Sequence, residues 1–98
     1  MQIENANLVE DCFDGSRVYV YTFDTPWTRD NIRRLEALGS LEYFPSFARP
    51  FFRLIAENGM QAKGVEGETN CRVIFPKKDM EKIRKDFEEV FRRADRAE

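Results

Sequence analysis

The sequence predicts a single α+β domain, built as a two-layer sandwich in which two helices cover one face of a mainly antiparallel sheet of about five strands. Runs of β-branched and aromatic residues separated by turn residues predict the strands. Two segments with apolar residues at helical spacing predict the helices. The predicted order is ββαβββα. The chain has 98 residues, the length of one domain, so residues 1–98 are assigned to one domain without an internal boundary.

The first strands are predicted near the amino terminus. A strand over Leu8 to Phe13 is followed by the turn sequence Asp14-Gly15-Ser16, where glycine accepts a positive φ. The run from Val18 to Phe23 contains only β-branched and aromatic residues, which is typical of a central strand.

Both helices are predicted from apolar stripes. Pro26 suits a first helical turn, either Thr25 or Thr28 can cap it, and Gly39 is a good terminator. The stripe of this helix is Ile32, Leu35 and Leu38. The second helix follows Pro76, and its stripe recurs at spacings of three and four: Met80, Ile83, Phe87, Val90, Phe91 and Ala94. Its exposed face includes Glu88 and Arg92 as an expected i,i+4 ion pair.

The middle of the chain predicts further strands. The short run 41–44 is a possible extra strand. Pro45 and Pro50 lack backbone donors, so the stretch between them is predicted to be an edge or a loop. Strands are predicted over Phe51 to Glu57, Met60 to Glu66 and Cys71 to Phe75.

The dipeptide Asn58-Gly59 is the best hairpin signal in the chain. A two-residue loop there places Arg53 opposite Gly64, so that the long guanidinium crosses a position without a side chain. Lys63 then falls on the other face of the sheet, opposite Leu54.

The composition excludes several kinds of site. The chain contains no histidine, which removes the commonest general base and the usual metal ligand. Cys12 and Cys71 stand alone, so we predict no metal and no cofactor. Arg72 beside Cys71 suggests a reactive thiol of lowered pKa, and the alternative is that both sulfurs are small, partly buried hydrophobes.

Charge and hydropathy indicate the compartment and the partners. The formal net charge is −2 and the isoelectric point is about 5.3, which disfavours nucleic acid as a partner. No apolar run approaches the roughly 20 residues that span a bilayer. The start of the chain lacks the features of a secretory signal. Two unpaired cysteines suit a reducing compartment. We therefore expect a cytoplasmic protein with no membrane contact.

The aromatic and cationic segment 43–53 is the candidate binding site. It holds five aromatic residues and two arginines, stiffened by two prolines. The candidate residues are Tyr43, Phe47, Arg49, Phe51 and Arg53, together with Lys63. Rings beside guanidinium groups suit a carboxylate, a phosphate or an unstacked base. The structural alternative is that the rings fill the edge of the core and that the arginines are solvated or paired with glutamates.

These observations favour a non-catalytic binding or interaction module that uses the uncovered sheet face and segment 43–53, with a protein partner or self-association. The lack of histidine and of an assembled nucleophile argues against an enzyme, although a reaction based on carboxylates or Lys63 stays open. The first alternative is a domain that senses a small anionic molecule or assists an enzyme. An RNA platform that uses Tyr19 and Tyr21 is less favoured, because its expected motif is incomplete. Homodimerisation through an unprotected edge, at 8–13 or 41–44, is a further expectation.

Overall fold

The computed structural model describes the backbone of residues 1–96 and the side chains of residues 1–92. The predicted stripe residue Ala94 lies outside the described side chains. The elements, in chain order, are β1 (Ile3–Asp11), β2 (Arg17–Phe23), α1 (Arg29–Arg33), a 3₁₀ helix (Arg34–Ala37), β3 (Ser40–Phe44), β4 (Phe51–Ile55), β5 (Gln61–Val65), β6 (Asn70–Phe75) and α2 (Met80–Arg96).

The strands form one antiparallel sheet in the spatial order β1-β2-β6-β5-β4-β3. The predicted α+β class is confirmed, but the predicted strand count and order are wrong. The sheet has six strands rather than about five, and the chain order is ββαββββα. The run 41–44 is part of a full strand because Pro45 and Pro50 both fall in the loop between β3 and β4. There, their missing N–H groups remove no bond from the ladder.

The first strand starts five residues before the predicted Leu8, at Ile3, and ends at Asp11. The first half of β1 is not predicted as a strand because most of its residues are polar, and only Ile3 and Ala6 pack against the core. Irregular pairing with β2 on both sides of Ala6 also breaks the strict alternation that identifies a strand. Phe13 therefore lies in the turn rather than in the strand, with its side chain fully exposed.

The first helix begins after Thr28, one of the two predicted caps, whereas Pro26 precedes the helix instead of lying in its first turn. The Thr28 side chain accepts a hydrogen bond from the backbone N–H of Asn31 at 3.2 Å. The helix is shorter than its stripe implies, because it tightens into the 3₁₀ helix after Arg33 and stops before Gly39. Gly39 is needed there for space: an added Cβ would lie 2.6 Å from the carbonyl oxygen of Ile55.

One face of the sheet packs against both helices. The strand residues of this buried cluster are Tyr19, Tyr21, Phe23, Phe52, Leu54, Ala62, Cys71, Val73 and Phe75. The helices and their approaches add Trp27, Ile32, Leu35, Ile83, Phe87, Val90 and Phe91. Ring contacts join the layers, with Phe23 4.8 Å from Phe91 and Tyr21 5.0 Å from Phe87 between centroids. Successive strand residues alternate between faces, so the residues between those of the cluster form the opposite face, hereafter the open face.

The hairpin between β4 and β5 differs from the prediction by one residue. The backbone N–H of Ala56 donates to the carbonyl of Met60 at 2.9 Å, so the loop contains three residues rather than two. Gly59 has a φ of +99°, the left-handed conformation that completes a three-residue hairpin loop. Arg53 consequently pairs with Lys63 rather than with Gly64, and the two long cationic side chains share the open face.

No helix in the described part of the chain is long and apolar enough to cross a membrane.

Candidate anion-binding site on the open sheet face

Three cationic side chains lie side by side across the middle of the open face. Arg53 on β4 is the direct partner of Lys63 on β5, and Lys63 is the direct partner of Arg72 on β6. We call these three residues the cation row. Adjacent strands are about 4.8 Å apart, so the backbone positions of the row span roughly 10 Å. All three residues are exposed.

A carboxylate bounds the row at each end. On β3, Glu42 accepts a hydrogen bond from Arg53 Nε at 2.7 Å. This contact raises the pKa of the Arg53 guanidinium, which stays charged at any relevant pH. On β1, Glu10 lies 3.9 Å from Arg72 Nη2, a looser ion pair. Lys63, at the centre, takes part in no ion pair within the described part of the chain. The row therefore carries an excess positive charge that is centred on Lys63.

The cation row surrounds a shallow depression of about 180 Å³. Its lining residues are Arg53, Gln61, Ala62, Lys63, Arg72 and Ile74. Pockets for whole drug-sized molecules measure about 300 to 1,000 Å³, so this depression suits one charged group of a larger ligand. A carboxylate or a phosphate fits both the size and the charge.

Three phenylalanines form an apolar cluster beside the cation row. Phe44 and Phe51, partners on β3 and β4, stack with centroids 4.7 Å apart and planes 25° apart. Phe47 lies in the loop between these strands, with its ring centroid 5.3 Å from that of Phe51, and its side chain is 57% exposed. We call these residues the Phe cluster. Phe51 and Arg53 are two residues apart on the same face of β4, so the cluster adjoins the row at a distance of about 7 Å.

The structure brings four of the six predicted site residues to the open face and separates two from it. Phe47, Phe51, Arg53 and Lys63 belong to the Phe cluster and the cation row. Tyr43 lies on the opposite face, where it packs against the core and its hydroxyl donates to the Glu66 carboxylate.

Arg49 is also separated from the depression. It forms an ion pair with Glu68, in the loop between β5 and β6. The carbonyl of Glu68 accepts a hydrogen bond from the backbone of Trp27 at 2.9 Å, which places this ion pair beside the start of α1.

Arg72 is the member of the row that sequence reasoning missed. The sequence relates Arg72 only to its neighbour Cys71, yet the two side chains project from opposite faces of β6. Cys71 is 2% exposed, and burial raises the pKa of its thiol, which contradicts the hypothesis of a reactive thiolate at this position. A three-residue hairpin loop, had it been predicted, would have indicated the pairing of Arg53 with Lys63. The addition of Arg72 requires knowing that β6 lies beside β5.

The two tyrosines considered for a sheet platform lie on the core side, beneath α2. Tyr19 is 8% exposed and Tyr21 is fully buried, so neither ring offers a surface for stacking a base. The Tyr21 hydroxyl donates to Glu88 at 2.7 Å, and Arg84 bonds to both Glu88 and the Tyr19 hydroxyl. Burial, aided by the bond to Glu88, raises the pKa of Tyr21. The expected pair between Glu88 and Arg92 is therefore wrong, because Arg84 holds Glu88.

A larger groove, of about 740 Å³, runs between β1 and α2 past Arg84 and Glu88. We favour the smaller depression on the open face as a site for an anion, because both cations of the groove are already paired with glutamates. Arg84 pairs with Glu88, and Arg92 pairs with Glu89 at 3.1 Å. The cation row keeps charge that its neighbours leave uncompensated.

Comparisons of the chain with protein-family models, with curated proteins and with solved structures find no match. Within the described residues, no three acidic or cysteine side chains gather in a way that would hold a metal ion.

Proposed function

We propose that this domain is a non-catalytic binding module that holds a partner on its open face through the cation row and the Phe cluster. The observation that carries the proposal is the position of Lys63 between two arginines. Like charges directly opposite one another destabilise a sheet, so folding alone gains nothing from this arrangement. Binding of an anionic group would turn the repulsion into attraction.

The Phe cluster supplies the apolar part of the proposed interface. Phenylalanine and arginine are among the residue types enriched at protein interfaces. Phe47 leaves more than half of its surface in water, and its contacts with Phe44 and Phe51 make the cluster a contiguous apolar patch of the kind that marks interaction sites. The row provides hydrogen-bond donors and positive charge without a general base, and this chemistry suits binding better than turnover.

The size of the depression favours a macromolecular partner over a free small molecule. It accommodates one anionic group, while the Phe cluster lies outside it and needs a separate apolar group. Self-association is the remaining alternative, since β1 and β3 are the edges of the sheet. We place the module in the cytoplasm, because a reducing compartment keeps Cys12 and Cys71 as the free thiols that the fold contains.

Photo-crosslinking in living cells tests the proposal. We expect p-benzoylphenylalanine in place of Phe47 to give a discrete adduct, because that ring is exposed beside the cation row. The same probe at Lys82, on the exposed surface of α2, is the control and should give none. The adduct should disappear when Lys63→Glu is added. Equal adducts from both positions, or an adduct that persists in the Lys63→Glu variant, contradict the proposal. An adduct of twice the chain mass identifies self-association.

A further inference from the structure

We infer that the partner is an acidic protein segment, bound in extended conformation, in which an apolar side chain stands two positions from a carboxylate. This inference rests on the proposed function and specifies its ligand. The apolar side chain would contact the Phe cluster, and the carboxylate would occupy the depression between Arg53, Lys63 and Arg72.

The spacing between the Phe cluster and the cation row matches the side-chain repeat of an extended peptide. Phe51 and Arg53 project from the same face of β4 with one residue between them, a separation of about 7 Å. An extended peptide repeats its own side chains on one side at the same interval of about 7 Å. A bound segment that runs parallel to β4 and β5 can therefore place one side chain on Phe51. The side chain two residues further along the segment then lies over Lys63.

The distribution of charge selects an acidic protein segment rather than a nucleic acid. A bound single strand presents a phosphate at every nucleotide and needs a positive groove along its path. A polyanion that followed the row past either end would meet Glu42 or Glu10. A polyanion that ran along β5 would find Lys63 alone, between Gln61 and Val65. The net charge of −2 opposes a polyanion as well. One or two carboxylates match a positive patch of this extent.

The cation row also has donors for a second carboxylate. Glu42 engages Arg53 through Nε, and Glu10 is 3.9 Å from Arg72, so neither acid uses the full set of five guanidinium N–H groups. Lys63 adds three ammonium donors between them. A carboxylate above Lys63 therefore receives charge-assisted hydrogen bonds without breaking an ion pair of the fold.

An amide-resolved NMR titration of the intact chain tests this inference. The probe is a capped nonapeptide of glycine and serine with Phe at its fourth position and Glu at its sixth. We expect saturable shifts of the amides of Phe51, Arg53, Lys63, Val65 and Arg72 at peptide concentrations up to about 2 mM, the range of weak affinity. A peptide with Lys in place of Glu should bind at least about tenfold more weakly, because it loses the charged hydrogen bonds.

Two variants with the same change in net charge separate the site from general electrostatics. Lys63→Glu should weaken binding of the acidic peptide at least about tenfold, whereas Lys85→Glu on α2 should leave it unchanged. No shifts with the acidic peptide, or equal shifts with its Lys counterpart, overturn the inference. So does tighter binding of a single-stranded decanucleotide. If the crosslink from position 47 still depends on Lys63 in any of these cases, the binding module stands and only its ligand class is wrong.

Discussion

Replacement of Lys63 by glutamate is expected to stabilise the fold while it removes the proposed function. Lys63 faces Arg72 directly across the β5–β6 ladder, and the substitution turns this contact from repulsion into attraction. Cross-strand charge pairs contribute roughly 0.2 to 1 kcal/mol, and exposed pairs lie in the lower part of that range. We therefore expect the free energy of unfolding to rise by about 0.5 kcal/mol. In a domain of this size that corresponds to an increase in Tm of about 2 to 4 °C.

The assay is thermal and urea unfolding at about 20 mM and about 0.5 M salt, because screening should remove most of the difference. Lys85→Glu is the matched control, since it changes the net charge equally but stands one helical turn from three glutamates. These neighbours are Glu81, Glu88 and Glu89, so this variant should be slightly less stable than the parent. A Lys63→Glu protein that unfolds at a lower temperature than the parent, or whose gain survives high salt, would refute the electrostatic reasoning.

Three other predictions concern the core. Gly39→Ala should lower the free energy of unfolding by about 1 to 3 kcal/mol, because the new Cβ would meet backbone atoms at 2.6 and 2.7 Å; an unchanged urea midpoint would show that the backbone yields easily. Between neutral pH and about pH 8.5, Cys71 and Tyr21 should leave stability unchanged, and above about pH 8.5 stability should fall, because burial raises the native pKa values of both groups above those of the unfolded chain. Tyr21→Phe should flatten the part of this fall above about pH 10, and an identical pH profile would contradict the assignment. A thiol reagent should modify the half-buried Cys12 first and Cys71 only at the rate of unfolding, and rapid modification of both would disprove the burial of Cys71.

Local patterns were sufficient to predict the elements whose side chains act on their immediate neighbours. The run of β-branched and aromatic residues from Val18 to Phe23 lies within β2, and the apolar stripe after Pro76 belongs to α2. Thr28 caps α1 because its hydroxyl reaches a backbone N–H only three residues away. In each case the interaction that decides the structure lies within a few residues, where a sequence pattern records it.

The site itself depends on contacts that a local pattern does not record. The choice between a two-residue and a three-residue loop at Gly59 rests on a small difference in backbone conformation, yet it decides whether Lys63 shares a face with Arg53. Arg72 joins them only because β6 inserts between β2 and β5, a pairing of distant segments. Phe47 and Phe51 were identified by their density in the sequence, but their separation from Tyr43 and Arg49 required the three-dimensional arrangement.

The number of residues in the turn formed by Glu57, Asn58 and Gly59, rather than their identity, determines which side chains of β5 reach the open face. Substitutions there can accumulate while the conformation of Gly59 is kept, but the gain or loss of a single codon would send Lys63 into the apolar interior and bring Gly64 out in its place. The loop between β3 and β4 comprises six residues, 45–50, and its exposed middle can change in length without a change in the β3–β4 register. Divergent copies of this domain should therefore vary in length near Ser46 and keep it constant near Asn58.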